Sequence, residues 1–387
     1  MKPTLILHIG TCKTGTSALQ MCLAKNQQFL IENKICYSEF HESNNFHLNL
    51  TLSLIREYFK KNNIKNGAPV DISLGTIPIT SALYSQQPAD IVGRMKQAFY
   101  ENNCDTMVIS DECLFESTVW WIFPASLNTE FLLKGRRNYI ISYFKEAFKE
   151  FDIKIVCYLR RQDDYIESLY NQWVKGIGAE LYDIIFENPS PDGHKYKIDE
   201  KNAPNIHMAK FINGMLNVDY YAHLSEWAEL YGKENIVVRP YEKSRLPQGI
   251  ERDFFKNILN IGEDSLKSLK LYGDINAGFK KDIIEYKMAS RLFELTNEIY
   301  SLNDSPALAY LDENNKKNIL TAKQGSKILE YYGESNARIA REYLRRENGA
   351  LFDDKQRESK EDYPGLSAQA AVDISRELIF MLKNKMR

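Results

Sequence analysis

The chain has 387 residues, 44% of them hydrophobic and 26% charged, an ordinary globular profile with room for two or three domains. Its 50 basic and 52 acidic residues nearly cancel to a net charge of −2, so nothing in the balance points to a nucleic-acid or polyanion binder and any basic patch must be local. Six cysteines (Cys12, Cys22, Cys36, Cys104, Cys113, Cys157) show neither CxxC pairing nor zinc spacing. They read as free, mostly buried thiols of a reducing compartment, and no metal site is expected. No apolar run approaches the roughly 20 residues that span a bilayer, and Lys2 leads straight into a core strand instead of a signal peptide. A cytoplasmic protein without an integral membrane segment is expected.

In chain order, Leu5–Ile9 is an apolar, buried-strand pattern that stops at Gly10. A loop rich in Gly, Thr and Lys follows, and a helix is predicted from Thr16 or Ser17 to Asn33, with Leu19, Leu23, Leu30 and Ile31 on one face. Residues 34–103 are mixed, with a polar loop at 42–45 and a Pro/Gly-containing segment at 67–88 flanked by helical patterns. Three more strands are predicted at Thr106–Ser110, Ile153–Leu159 and Asn235–Arg239; a helix begins near Asp163. Short β-branched strands separated by helices predict an α/β fold, a P-loop-like core with a central parallel sheet flanked by helices. Residues 179–206 read as a long insertion. From Asn276 strand signals stop, and helical periodicity runs through Lys280–Asn297 and Ala322–Arg345. The chain thus divides into an α/β domain over 1–270 and a helical C-terminal region over 271–387.

In open parallel sheets ligands sit beyond the carboxyl ends of the strands. Lys13, Asp111, Glu112, Arg160 and Arg239 all fall there. The loop Gly10–Ser17 concentrates Thr11, Lys13, Thr14, Thr16 and Ser17 at a helix N-terminus, where backbone N–H groups face an anion and a lysine adds a point charge. Gly10 and Gly15 have the spacing of a Walker A loop, but Thr16 stands where its lysine belongs and Lys13 lies upstream. A second phosphate-type element is Arg160, ending its strand, with Ser168 eight residues later on the next helix. Candidates for a general base are Glu112, Asp111, His47 and His8; Glu112 ranks first and His47 second, whereas His8 alternates within a strand and reads as a core histidine. Phe115, Trp120, Trp121 and Phe123 form either a sugar-stacking platform or core packing.

Together these residues resemble the sulfotransferases that use 3′-phosphoadenosine 5′-phosphosulfate (PAPS). That family carries a Lys-(Ser/Thr)-Gly-Thr element for the 5′-phosphosulfate, matched by Lys13-Thr-Gly-Thr-Ser17, and a strand-ending Arg with a Ser eight residues on for the 3′-phosphate, matched by Arg160 and Ser168. Residues 8–16 are similar to the opening of bacterial members; further similarity lies at 158–165, 238–242 and 335–341. The resemblance implies PAPS as donor, bound at Gly10, Thr11, Lys13, Thr14, Gly15, Thr16, Ser17, Arg160 and Ser168, with no metal. It implies a saccharide or other hydroxyl-bearing acceptor, a glycan or a lipid-linked or surface-polysaccharide precursor; nucleic acid is not expected and a homo-oligomer is compatible. It departs at Leu271–Gly278 and Lys280-Lys281, where the Arg-Lys-Gly loop of cytosolic members is missing. The rival reading is a P-loop NTPase or small-molecule kinase, for which Val108–Glu112 resembles a Walker B strand. A non-catalytic glycan-binding scaffold is a third.

Overall fold

The computed structural model describes residues 2–39, 47–64, 73–74, 77–78, 86–116, 130–176, 205–214, 218–242, 244–273, 279–353 and 360–385. The insertion at 179–206 lies outside them save for residues 205 and 206, and the loop at 42–45 together with Trp120, Trp121 and Phe123 lies wholly outside. The chain forms two compact units: residues 1–161, 219–276 and 334–353 make the first, and 162–218, 277–333 and 354–387 the second. The chain passes between them several times, so the units do not coincide with a single division near residue 270.

The first unit holds a five-stranded, all-parallel sheet: β1 (Thr4–His8), β2 (Ile35–Cys36), β3 (Thr106–Ser110), β4 (Asp152–Leu159) and β5 (Ile236–Pro240), in the order β2-β3-β1-β4-β5. β1 is central, with Leu5 and Leu7 fully buried, as expected of a strand covered on both faces. In register His8 faces Ser110 of β3 on one side and Val156 of β4 on the other. The four strands expected from the sequence are present. The fifth, β2, has two residues, too few for any pattern to mark it. A separate hairpin pairs Ser73–Leu74 with Ile77–Pro78.

Helix α1 (Thr16–Lys25) covers one face of the sheet, with Leu19 and Leu23 packed among Ile6, Val108, Ile250 and Phe254. The helix expected to reach Asn33 breaks at Asn26, and a second short helix runs over Gln27–Glu32. At the break the Asn26 side chain is held by other partners: Nδ2 donates to Cys22 O at 2.7 Å and Lys270 O at 3.0 Å, and Oδ1 accepts from Lys270 N at 3.2 Å. The helical patterns flanking residues 67–88 are helices α2 (Leu48–Lys61) and α3 (Pro88–Glu101). All six cysteines are free thiols, and Cys12 alone among them is not fully buried.

The second unit is helical. It begins with α4 (Gln162–Gly176), which starts directly after the Arg160-Arg161 pair, and includes α5 (Lys281–Ser290) and α6 (Ala368–Lys385). Lys287 of α5 is buried with its ammonium on the carbonyls of Val174 (2.9 Å) and Lys175 (3.0 Å), the last turn of α4. Burial lowers its pKa to about 8, and the cation satisfies carbonyls that a helix end leaves without partners. The segment 335–341 returns to the first unit, where Ser335 Oγ donates to Asp219 Oδ1 at 2.6 Å and the Arg338 guanidinium lies 3.7 Å from the Tyr221 ring centre. That stretch braces the start of the helix leading to β5.

Candidate anion site at the central strand

β1 continues to β2 on one side of the sheet, and β4 continues to β5 on the other. The loops after these two neighbouring strands therefore leave in opposite directions, which opens the crevice where parallel α/β sheets take ligands. Both anion-type elements of the sequence end there: Gly10–Ser17 follows β1 and Arg160 follows β4.

The loop curls because three of its residues are left-handed: Gly10 (φ 75), Lys13 (φ 63) and Gly15 (φ 77). Lys13 and Gly15 place a left-handed residue on each side of Thr14, the kind of alternation from which anion nests are built, while the Thr11 N–H is already bonded to Tyr158 O at 3.1 Å. Gly10 is required for a second reason. A Cβ there would lie 2.7 Å from Glu112 Cα and 2.8 Å from Glu112 Cβ, closer than any real contact. Gly15 is the N-cap of α1, and a Cβ on it would stand 3.0 Å from Ile250 Cγ2 and 3.2 Å from the Tyr241 hydroxyl. A non-glycine residue at positive φ is uncommon, and Lys13 is held in it by Arg160, whose Nη1 donates to Lys13 O at 3.0 Å.

The loop threonines build the cradle. Thr11 Oγ1 donates to Tyr158 O at 3.2 Å and Thr14 Oγ1 to Thr11 O at 2.7 Å, both buried. Thr16, in the position of a Walker lysine, is buried and donates its hydroxyl to Glu112 Oε2. Ser17 is exposed at the first turn of α1, and Lys13 is half-buried. Burial lowers the Lys13 pKa; Glu112 opposes that shift and Arg160 adds to it. The Lys13 ammonium is thus influenced by a carboxylate and a guanidinium of opposite effect.

Arg160 is anchored from behind: the Tyr220 hydroxyl donates to its carbonyl at 2.9 Å, and its guanidinium stands 6.0 Å from the Tyr241 ring centre. Tyr220 and Tyr241 carried no site role in the sequence reading. Tyr241 directly follows the carboxyl end of β5, which is the signal that could have found it. Ser168 is half-buried, one and a half turns into α4 in the second unit.

The acidic pair divides its roles. Asp111 is fully buried, accepting Cys113 N at 2.9 Å on Oδ1 and the Thr51 hydroxyl on Oδ2. Burial raises its pKa to about 7 despite those bonds. Glu112 is only partly buried and lies against Gly10 and Thr16. His47 is buried, its Nδ1 accepting from Ser110 N at 3.1 Å while Nε2 donates to Ser38 O at 2.9 Å. Burial lowers its pKa to about 4, so it is a neutral strut between two loops. His8 is likewise buried, 2.8 Å from Ser110 Oγ, with its pKa lowered to about 3 by burial.

One expectation needs correction. Arg239 does not face the crevice: its Nε donates to Asp253 Oδ2 at 3.0 Å, and its Nη2 pairs with Oδ1 of the same carboxylate, which also takes the Tyr158 hydroxyl at 2.6 Å. A strand-end position was right, but the alternating side chain turned toward the helix beneath. Of the two readings open for Phe115, core packing holds: it is buried against Tyr220 and His223, with ring centres 5.8 and 5.3 Å away.

Fold and site together define an α/β protein with a parallel sheet and a glycine-containing strand–loop–helix at its central strand. The chain is similar to an uncharacterized protein of the archaeon Archaeoglobus fulgidus, 27% identical over 210 residues that cover 52% of this chain and 49% of that protein. It therefore spans about half the length of the relative it matches. No family model matches the sequence, and no solved structure matches it. Among the described residues no helix is long and apolar enough to cross a membrane, and no group of three or more His, Cys, Asp or Glu could hold a metal ion.

Proposed function

We propose that the protein is a PAPS-dependent sulfotransferase acting on a hydroxyl of a saccharide acceptor, either a glycan or a lipid-linked or surface-polysaccharide precursor. The observation that carries this reading is Lys13, at positive φ in the loop after β1, with Arg160 bonded to its carbonyl and Glu112 within electrostatic reach of its ammonium. The residues fit the donor: a loop with a half-buried lysine suits a 5′-phosphosulfate, and a second cation, the Arg160 guanidinium at the neighbouring strand end, suits a further phosphate. When bound, the donor supplies a sulfuryl group on a phosphate leaving group.

Lys13 places positive charge where negative charge grows on the leaving phosphate, and the loop N–H groups of the first turn of α1 hold that phosphate. Arg160 takes the 3′-phosphate through charge-assisted bonds; Ser168 joins it on the resemblance alone. Glu112 removes the acceptor hydroxyl proton. It stands ahead of His47, whose two ring nitrogens are already engaged by backbone. Cytoplasmic placement belongs to the same reading and rests on the free thiols.

A P-loop NTPase or small-molecule kinase draws on the same strand-loop-helix and on Asp111-Glu112 at the end of the adjacent strand. Two contacts weigh against it. Asp111 is turned inward onto Thr51 and Cys113, and the residue in the Walker lysine position, Thr16, is committed to Glu112.

Titration calorimetry with adenosine 3′,5′-bisphosphate in the presence of EDTA tests the reading. Binding with a roughly micromolar Kd and a matching rise in Tm is expected. Binding of ATP that requires Mg²⁺, with none of the bisphosphate, would transfer the assignment to the kinase class.

A further inference from the structure

The helix α6 has two faces of opposite character. It buries Ala370, Ile374 and Leu378 among Ile283, Ile299 and Leu308 of its own unit. At about 100° per residue, Val372, Arg376, Ile379, Phe380 and Lys383 fall within one arc of about 100° on the opposite side. Val372, Ile379 and Phe380 are 51%, 52% and 59% exposed, and the Arg376 side chain is 72% exposed. Isolated exposed apolar residues are ordinary, but three on one helical arc interleaved with two cations are a patch. No acid lies within that arc. Glu377 accepts the Ser305 hydroxyl at 2.8 Å, and Asp373, at the arc's edge, accepts the Tyr310 hydroxyl at 3.0 Å and Arg376 Nη1 at 3.1 Å.

We infer that this arc seats α6 on the surface of an anionic lipid bilayer. Ile379, Phe380 and Val372 enter the boundary between headgroups and acyl chains, and Arg376 and Lys383 sit against lipid phosphates, the arrangement of a helix lying in the membrane plane. Charge selects lipid over a second copy of the chain. An antiparallel pairing that sets Val372 against the Ile379 of another copy brings the two Arg376 side chains together at the axis, each with its own Asp373 at the arc's edge and neither meeting an acid on the arc of the other copy. The inference does not depend on the sulfuryl-transfer reading, since it uses no residue of the anion site.

Co-sedimentation of the full chain with vesicles tests it, comparing pure phosphatidylcholine with a mixture containing about one third phosphatidylglycerol. At low salt the partition coefficient should be about tenfold higher or more on the anionic vesicles, and it should fall as salt is added. The Ile379→Asp/Phe380→Asp variant and the Arg376→Gln/Lys383→Gln variant should each lose that gain while keeping the wild-type circular dichroism spectrum. The second variant alters exposed side chains only, so it decides the matter even if the first folds poorly. Equal, weak partition of the wild type to both vesicle types overturns the inference, as does unchanged binding by the charge variant. A wild-type dimer in sedimentation velocity that either variant dissociates, without vesicle binding, assigns the arc to self-association instead.

Discussion

The Arg160 guanidinium donates to the backbone carbonyl of Lys13 at 3.0 Å, so the residue that ends one strand sets the shape of the turn that follows its neighbour. An arginine in that place has donors to spare: one bond holds the loop, and the fork retains others for an anion. Lys13 and Arg160 are thereby coupled, and each shapes what the other presents to a ligand.

That coupling gives the first prediction. Under the proposed reading, Arg160→Ala should weaken adenosine 3′,5′-bisphosphate by about 1.5–3 kcal/mol, the worth of a hydrogen bond to a charged group. Adenosine 5′-phosphate should lose much less. Equal losses for both ligands in calorimetry would confine Arg160 to its bond with the Lys13 carbonyl.

Lys13→Ala separates charge from shape. Its ammonium matters most as the leaving phosphate gains charge, so turnover should fall by about 10²–10³ while ground-state donor affinity changes far less. Steady-state kinetics alongside calorimetry read the two quantities separately. A variant with intact kcat and a weakened donor would move the catalytic charge to another residue.

Much of this site was legible because its parts lie in short, contiguous segments. The apolar run of β1, the stop at Gly10 and the polar turn to Ser17 mark a strand–loop–helix without reference to the rest of the chain. The bond from Thr16 to Glu112 was not legible, since it joins residues 96 positions apart and depends on β1 and β3 being neighbours. The same holds for Arg239: its strand-end position is local information, whereas its partner Asp253 comes from a helix packed under the sheet. Asn26 sits in a good helical pattern, and its bonds to Lys270, 244 positions away, accompany the break there.

Gly10→Ala should damage the site through packing. The added methyl meets Glu112 Cα at 2.7 Å in a backbone conformation, φ 75, that alanine adopts poorly. A loss of about 1–3 kcal/mol in a urea melt is expected, with weaker anion binding because the nest opens. Wild-type stability in this variant would mean that the Glu112 turn moves freely.

The pH dependence of stability should reveal Asp111. Its pKa is raised by burial from 3.8 to about 7, so the native state keeps a proton that the unfolded chain releases, and its contribution declines as pH rises from about 4 to about 7. His8 and His47 act oppositely. Burial lowers them from 6.5 to about 3 and about 4, so the unfolded chain binds more protons and stability climbs through that window. Asp111→Asn keeps an acceptor for Cys113 N and removes the declining contribution. Urea melts across the window should show the variant climbing more steeply than wild type, by about 1.4 kcal/mol per pH unit per proton at most. Parallel profiles would mean that Asp111 is ionised throughout.

The last prediction separates a base from a strut. Glu112 is partly buried at the crevice, and an isosteric amide fits its place, so Glu112→Gln should keep the fold and donor binding yet lose acceptor-dependent transfer by about 10²-fold or more. His47 is a different case. Its imidazole is neutral, buried and spent on Ser110 N and Ser38 O, so it has no lone pair left for an acceptor proton. His47→Ala leaves those two backbone groups without their partner, each at a cost of about 1–3 kcal/mol. The histidine variant should therefore melt earlier but turn over at near the wild-type rate when assayed well below its Tm. A stable His47→Ala protein without activity, beside an active Glu112→Gln, would reverse the roles, and the proton would then have to leave through a ring that first breaks its bonds to both loops.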